Sequence, residues 1–186
     1  MEELKRTTHF VLHPFQVQNF TNQLQLSGIL ARSATGLQLA YELRGSVDKV
    51  LLPPPEAAPQ RRDGLWQASC FELFIGKKGS PQYWEINLSP SGDWQVYAFT
   101  GYRQGMGEET AITALPLNQQ RHPTQSTSYR LTLDLPLERL IAPDQPIEVA
   151  VTAILQGQNG QQAFYALSHC GPQPDFHLRA SFLLQL

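Results

Sequence analysis

Glu72 sits in the run Cys70-Phe71-Glu72-Leu73-Phe74-Ile75, where every neighbour is apolar. Taking a carboxylate out of water costs several kcal/mol unless it is paired or hydrogen-bonded. It therefore needs a partner, and the nearest cations in sequence are Arg61 and Arg62. Two readings are open: an ion pair that pins the preceding connector to this run, or a carboxylate held for a ligand. The following run, Tyr83-Trp84-Glu85-Ile86-Asn87-Leu88, alternates in character. In a strand, Tyr83, Glu85 and Asn87 share one face and Trp84, Ile86 and Leu88 the other. The first face displays an aromatic ring, a carboxylate and an amide in a row. Sugar hydroxyls need donors and acceptors at fixed places, and the C–H faces of a pyranose stack on aromatic rings, so the row suits a saccharide. Ordinary cross-strand pairs on a solvated face would give the same row. Of Trp66, Trp84 and Trp94, two are expected in the core. The third, Trp66 at a strand start, is available to a ligand.

The segment Pro174-Asp175-Phe176-His177 offers an Asp-x-His spacing. The carboxylate either positions the imidazole or bonds local backbone at a loop corner. Glu72 and Glu85 form a carboxylate pair of the kind that runs glycoside hydrolysis. Otherwise the signatures of catalysis are missing: no nucleophile elbow, phosphate loop, dinucleotide fingerprint or HExxH. The chain is therefore expected not to be an enzyme. His9, His13, His122, His169 and His177 do not fall at close metal-ligand spacings; His9 and His13 are four apart, but Pro14 follows and the segment is not helical. Cys70 and Cys170 lack a CxxC spacing and are expected to be free thiols.

The elements that must position these groups are strands. Leu37, Leu39, Tyr41 and Leu43 alternate with polar residues, as do Tyr129, Leu131, Leu133 and Leu135. Leu178, Ala180, Phe182, Leu184 and Leu186 continue the period of two at the end of the chain. Such alternation gives a strand one buried and one wet face. Further strands are expected over 24–32, 65–75, 82–88, 94–99, 147–155 and 161–167, with turn residues between them. Asn159-Gly160 marks a hairpin. Pro136 to Leu140 makes one helical turn, residues 53–60 form an extended proline-rich connector, and 100–110 is a glycine-bearing loop. Many short strands at this spacing predict an all-β, antiparallel two-sheet sandwich.

With 186 residues, of which 41% are hydrophobic, the chain is long enough for one packed domain spanning 1–186. Charged residues are 16% and the net charge is −2, so no basic field exists for nucleic acid. No apolar stretch reaches the ~20 residues of a membrane span. The start Met1-Glu2-Glu3-Leu4-Lys5-Arg6 has no apolar stretch behind its charges, so a cytoplasmic location is expected.

The order Leu65-Trp66, then Cys70-Phe71-Glu72-Leu73-Phe74-Ile75, then Tyr83 to Leu88 ending at Ser89-Pro90-Ser91-Gly92-Asp93-Trp94, resembles the DOMON-like group related to type 9 carbohydrate-binding modules. The late Asp175-Phe176-His177 followed by Phe182 is similar to that group's closing segment, and the resemblance covers about residues 20–186. It implies a jelly-roll-like or Ig-like sandwich that binds sugar without catalysis. Trp66 and Glu72 match the first tryptophan of the sugar site and its glutamate. The place of the second is taken by Phe164 to His169, which offers Tyr165. The expected ligand-binding set is Trp66, Glu72, Arg61, Arg62, Tyr83, Glu85, Asn87, Tyr165 and His177, with a saccharide as partner and no required cofactor. Two other readings stay open. One is an interaction domain without a small ligand, its protein partner unspecified. The other is haem b held by Met106 with His169 or His177, as some DOMON domains hold it. Type 9 modules also carry structural calcium, for which Asp63, Asp93 and Asp175 are the loop carboxylates.

Overall fold

The computed structural model describes residues 6–121 and 127–186; His122 lies outside the described residues. Twelve strands account for most of the regular structure: β1 (Arg6–Pro14), β2 (Leu24–Arg32), β3 (Leu37–Gly45), β4 (Cys70–Lys77), β5 (Tyr83–Leu88), β6 (Trp94–Phe99), β7 (Gly107–Glu108), β8 (Leu117–Arg121), β9 (Ser128–Leu135), β10 (Ile147–Gln156), β11 (Gln162–Ala166) and β12 (Leu184–Gln185). Helical structure among the described residues is limited to short 3-10 turns at Val47–Lys49, Leu65–Gln67, Leu137–Arg139 and Arg179–Ser181. The third is the turn predicted after Pro136. The stretch expected as one strand over 65–75 is split. Leu65–Gln67 turns, and Cys70 begins the strand, so Trp66 projects from a bend.

The strands form one curled antiparallel sheet, in the order β7-β6-β5-β4-β10-β11-β1-β2-β3-β9-β8, with β12 added to β10. Where two sheets are expected, the hydrogen-bonded path is continuous, because β1 serves both arms. Its residues Arg6 to Leu12 pair with β2, while His13 and Pro14 pair with β11. The alternating leucines of β3 and β9 face inward and meet Phe71, Leu73 and Ile75 of β4 in one core. The Tyr41 hydroxyl reaches the carbonyls of Glu72 (2.6 Å) and Thr152 (3.2 Å) in the opposite arm. The Phe71 ring lies 4.9 Å from Tyr41 and 5.7 Å from Tyr129.

The arms differ on their outer faces. On β3 the pattern is buried-exposed alternation, as expected of a wet face. On β5 every residue is buried, and on β4 all but Lys77, because the end of the chain covers that side. The alternation over Leu178–Leu186 predicts a strand, but only Leu184–Gln185 pairs. Its apolar residues serve two cores, Phe182 the outer cluster and Leu186 the inner one. Arg179 fixes this course. Its Nε donates to Glu148 (2.9 Å) and its Nη2 to the Lys77 carbonyl (2.6 Å). The guanidinium lies flat on Gly76, where a methyl group would come within 2.2 Å of its central carbon. Only glycine allows that approach.

Candidate functional site

The covered outer face of β4, β5, β6 and β10 carries a second cluster that includes Phe74, Tyr83, Tyr97, Phe99, Ile154, Phe176 and Phe182. Polar residues interrupt it by register. Glu72 stands opposite Asn87 on β5 and Thr152 on β10, and Glu85 stands between Phe74 and Tyr97. Between this face, the loop after β6 and the segment around Phe176 lies a cavity of about 370 Å³. Trp66, Phe74, Phe99, Phe164, Phe176, Ile154, Met106 and Pro174 give it apolar walls; Glu72, Glu85, Arg103 and His177 supply its polar groups.

These polar groups are held by neighbours that do not themselves line the cavity. The Asn87 amide donates to Glu85 Oε1 (2.8 Å). The Arg103 backbone N–H, in a left-handed turn at φ 53°, donates to the Tyr83 hydroxyl (3.2 Å). Tyr83 lies 2.8 Å from His177 Nδ1. Burial raises the Tyr83 pKa, so the phenol keeps its proton, and its oxygen already accepts the Arg103 N–H; the bond to His177 is therefore assigned with Tyr83 donating to Nδ1. In that tautomer the imidazole proton is on Nε2, 3.7 Å from Glu85 Oε2. That gap is too long for a direct bond, and a ligand hydroxyl on the cavity side can bridge the two atoms at about 2.8 Å from each. The imidazole is neutral, its pKa lowered to about 4 by burial and then by the charge of Arg103, against Asp175. Arg103 itself is tied to Asp175 at 2.9 Å.

Glu72 is 2% exposed. Burial first, then the Glu85 charge, pushes its carboxyl well above the usual range. Burial raises Glu85 likewise. Neither expected cation reaches Glu72. Arg61 stacks 4.3 Å from the Trp94 ring centroid, donates to Gln95 Oε1 (2.5 Å) and to the carbonyls of Glu109 (3.0 Å) and Ile112, and approaches Glu108 (3.7 Å). Arg62 pairs with Asp93 at 2.9 Å. Both arginines hold the proline-rich connector along β6 instead, where Arg61 bridges Trp94 and the Arg62 N–H donates to the Trp94 carbonyl. The ion pair with Glu72 that one sequence reading expects is not formed, and the connector is held to β6 rather than to the strand of Glu72.

Of the expected set, Trp66, Glu72, Glu85 and His177 line the cavity, and Tyr83 and Asn87 support it from behind. Arg61 and Arg62 do not line it, and Tyr165 points into the inner core. Its neighbour Phe164 faces the cavity instead, as successive strand residues must. Trp84 and Trp94 are core and Trp66 is half-buried at the cavity, the two-to-one division expected. Asp175 does not orient the His177 ring. It accepts the His177 backbone N–H (3.1 Å) and binds Tyr102 and Arg103, which is the loop-corner reading. Met106 lines the same cavity as His177, whereas His169 bonds the His13 carbonyl elsewhere. Asp63, Asp93 and Asp175 have separate partners. Among the described residues no three His, Cys, Asp or Glu side chains gather as a metal requires. Sequence reasoning missed Arg103, Phe99, Phe164 and Phe176 as cavity residues. Arg103 had one signal, its place in the glycine-bearing loop.

The fold and this site define a β-rich domain with one aromatic-lined, acid-floored cavity on an outer face. Solved structures share that fold. A candidate carbohydrate-binding protein from Bacteroides uniformis superposes with TM-score 0.70 at 12% identity, over 95% of this chain and 84% of that one. A family 9 carbohydrate-binding module from Caldicellulosiruptor kristjanssonii, in complex with glucose, gives 0.51 at 11% identity over 87% and 74%. The same module with cellotriose gives 0.51 at 10% over 87% and 72%. At these identities the likeness is one of fold. The sequence matches no protein-family model and no curated protein.

Proposed function

We propose that this domain binds a saccharide in the cavity beside Trp66 and does not transform it, as a DOMON-like relative of the type 9 modules whose curled sheet works as a sandwich. The observation that carries the reading is the cavity itself: aromatic walls and a polar floor, in a fold shared with sugar-binding neighbours. Its volume of about 370 Å³ is near the lower end of the ~300–1,000 Å³ of ligand pockets. It accommodates one sugar ring or the end of a chain. A ring lying against Trp66 would let one hydroxyl bridge His177 Nε2 and Glu85 Oε2 from the cavity side. The placement of the two acids supports binding without turnover. Glu72 and Glu85 rise from one face of adjacent strands, so both meet a ligand from the same side. Glycoside hydrolysis needs two carboxyls flanking the scissile bond.

Tryptophan fluorescence titrated with glucose and cello-oligosaccharides tests this. Saturable binding is expected, weakened about 30-fold in Trp66→Ala, the ~2 kcal/mol of an aromatic hot spot. The melting temperature should change little, because Trp66 is only half-buried and belongs to a turn. A flat titration across the panel, or binding unchanged by Trp66→Ala, would refute the site.

A further inference from the structure

The acids of this cavity outnumber its cations in a way that a neutral sugar does not require. Glu72 and Glu85 both line it. The groups that face them are Cys70, Asn87, Thr152, Tyr83, Tyr97, His177 and Arg103. Arg103 is the cation among them, and it is drawn off to Asp175 at 2.9 Å. His177 turns a neutral ring to Glu85 at 3.7 Å. The hydroxyl of Thr152 reaches Glu72 Oε2 at a long 3.4 Å. Asn87 Oδ1, buried behind the pair, has no hydrogen-bond donor. The floor thus carries two acids against a cation already engaged, and five of the eight apolar wall residues are aromatic, with ring faces that attract cations.

We propose that the cavity selects an amine-bearing saccharide, its ammonium seated on the Glu72–Glu85 floor and its ring against Trp66. This rests on the saccharide reading and specifies it. In the free protein, burial and then the Glu85 charge favour a proton on the Glu72 carboxyl. An arriving ammonium replaces a proton as the counter-charge. The carboxylic acid O–H bond breaks, the carboxylate stays to pair with the ammonium, and the proton leaves to buffer.

Calorimetry with glucosamine, N-acetylglucosamine and glucose at pH 6.5 tests it, below the ~8 at which an α-amino group titrates. Glucosamine should bind about tenfold tighter than glucose. Acetylation, which removes the charge, should abolish that advantage. The heat of glucosamine binding should change with the ionisation enthalpy of the buffer, as proton release demands. In Glu72→Gln and Glu85→Gln the glucosamine-to-glucose ratio should approach one. Equal binding of glucose and glucosamine would overturn the amine preference and leave the saccharide reading standing. Binding of ethylammonium but of no sugar would overturn both and show a plain cation site, and no binding by any of these would also defeat both.

Discussion

Phe71→Ala is expected to lower unfolding stability by about 3–5 kcal/mol, the cost of removing a large ring from a packed core. The ring is fully buried and stands between Tyr41 and Tyr129. These three side chains come from β4, β3 and β9, so the contact joins the two arms of the sheet. The covalent chain crosses between the arms in the segments 46–69, 109–116 and 136–146, and the strand pairing links them only through β1 and β11. Face-to-face packing must therefore supply much of the closure. A cavity at Phe71 also undercuts the outer site, because Phe71 and Glu72 are consecutive and Tyr41 bonds the Glu72 carbonyl. Urea unfolding should show a large fall in midpoint. A fall under about 1 kcal/mol would mean that the arms close by other contacts.

Acidification should cost the domain about 3 kcal/mol through His177 alone. Its pKa is held at about 4 in the folded protein against 6.5 unperturbed, and each unit of such a gap is worth ~1.4 kcal/mol. The folded value is depressed, so the unfolded chain binds the proton more readily. Stability is full above pH 6.5 and is lost as pH falls toward 4. Glu72 and Glu85 act in the opposite sense. Their carboxyls are raised, so acid favours the folded form through them. The two effects separate in His177→Gln, which keeps the acids and lacks the imidazole. Between pH 7 and pH 4 the wild type should lose about 3 kcal/mol relative to that variant. Parallel stability profiles would show that the ring is not held neutral by its surroundings.

Much of the strand layout was legible because the inner face is marked by simple alternation. Leu24–Arg32, Leu37–Gly45 and Trp94–Phe99 fall where the pattern puts them. The pattern fails where both faces are covered. On β4 and β5 every position but one is buried, so periodicity does not say which side holds a ligand. The acids do, since an outward Glu72 or Glu85 interrupts an apolar face. The family resemblance assigns the second aromatic to the segment Phe164 to His169 and so to Tyr165, yet the strand phase set by Ala163 and Tyr165 in the inner core puts Phe164 outside. Long-range partners were the least legible. Arg61 is near Glu72 in sequence but is captured by Trp94, Gln95 and the loop after β6. Arg103 reaches the cavity from a loop whose turn no local hydrophobic pattern marks.

A crystal structure of the protein soaked with glucose tests the central claim most directly. The account predicts a sugar ring between Trp66 and the walls of Phe164 and Phe176, with a hydroxyl bridging His177 Nε2 and Glu85. A ring bound elsewhere on the surface, with this cavity empty at saturating glucose, would contradict it.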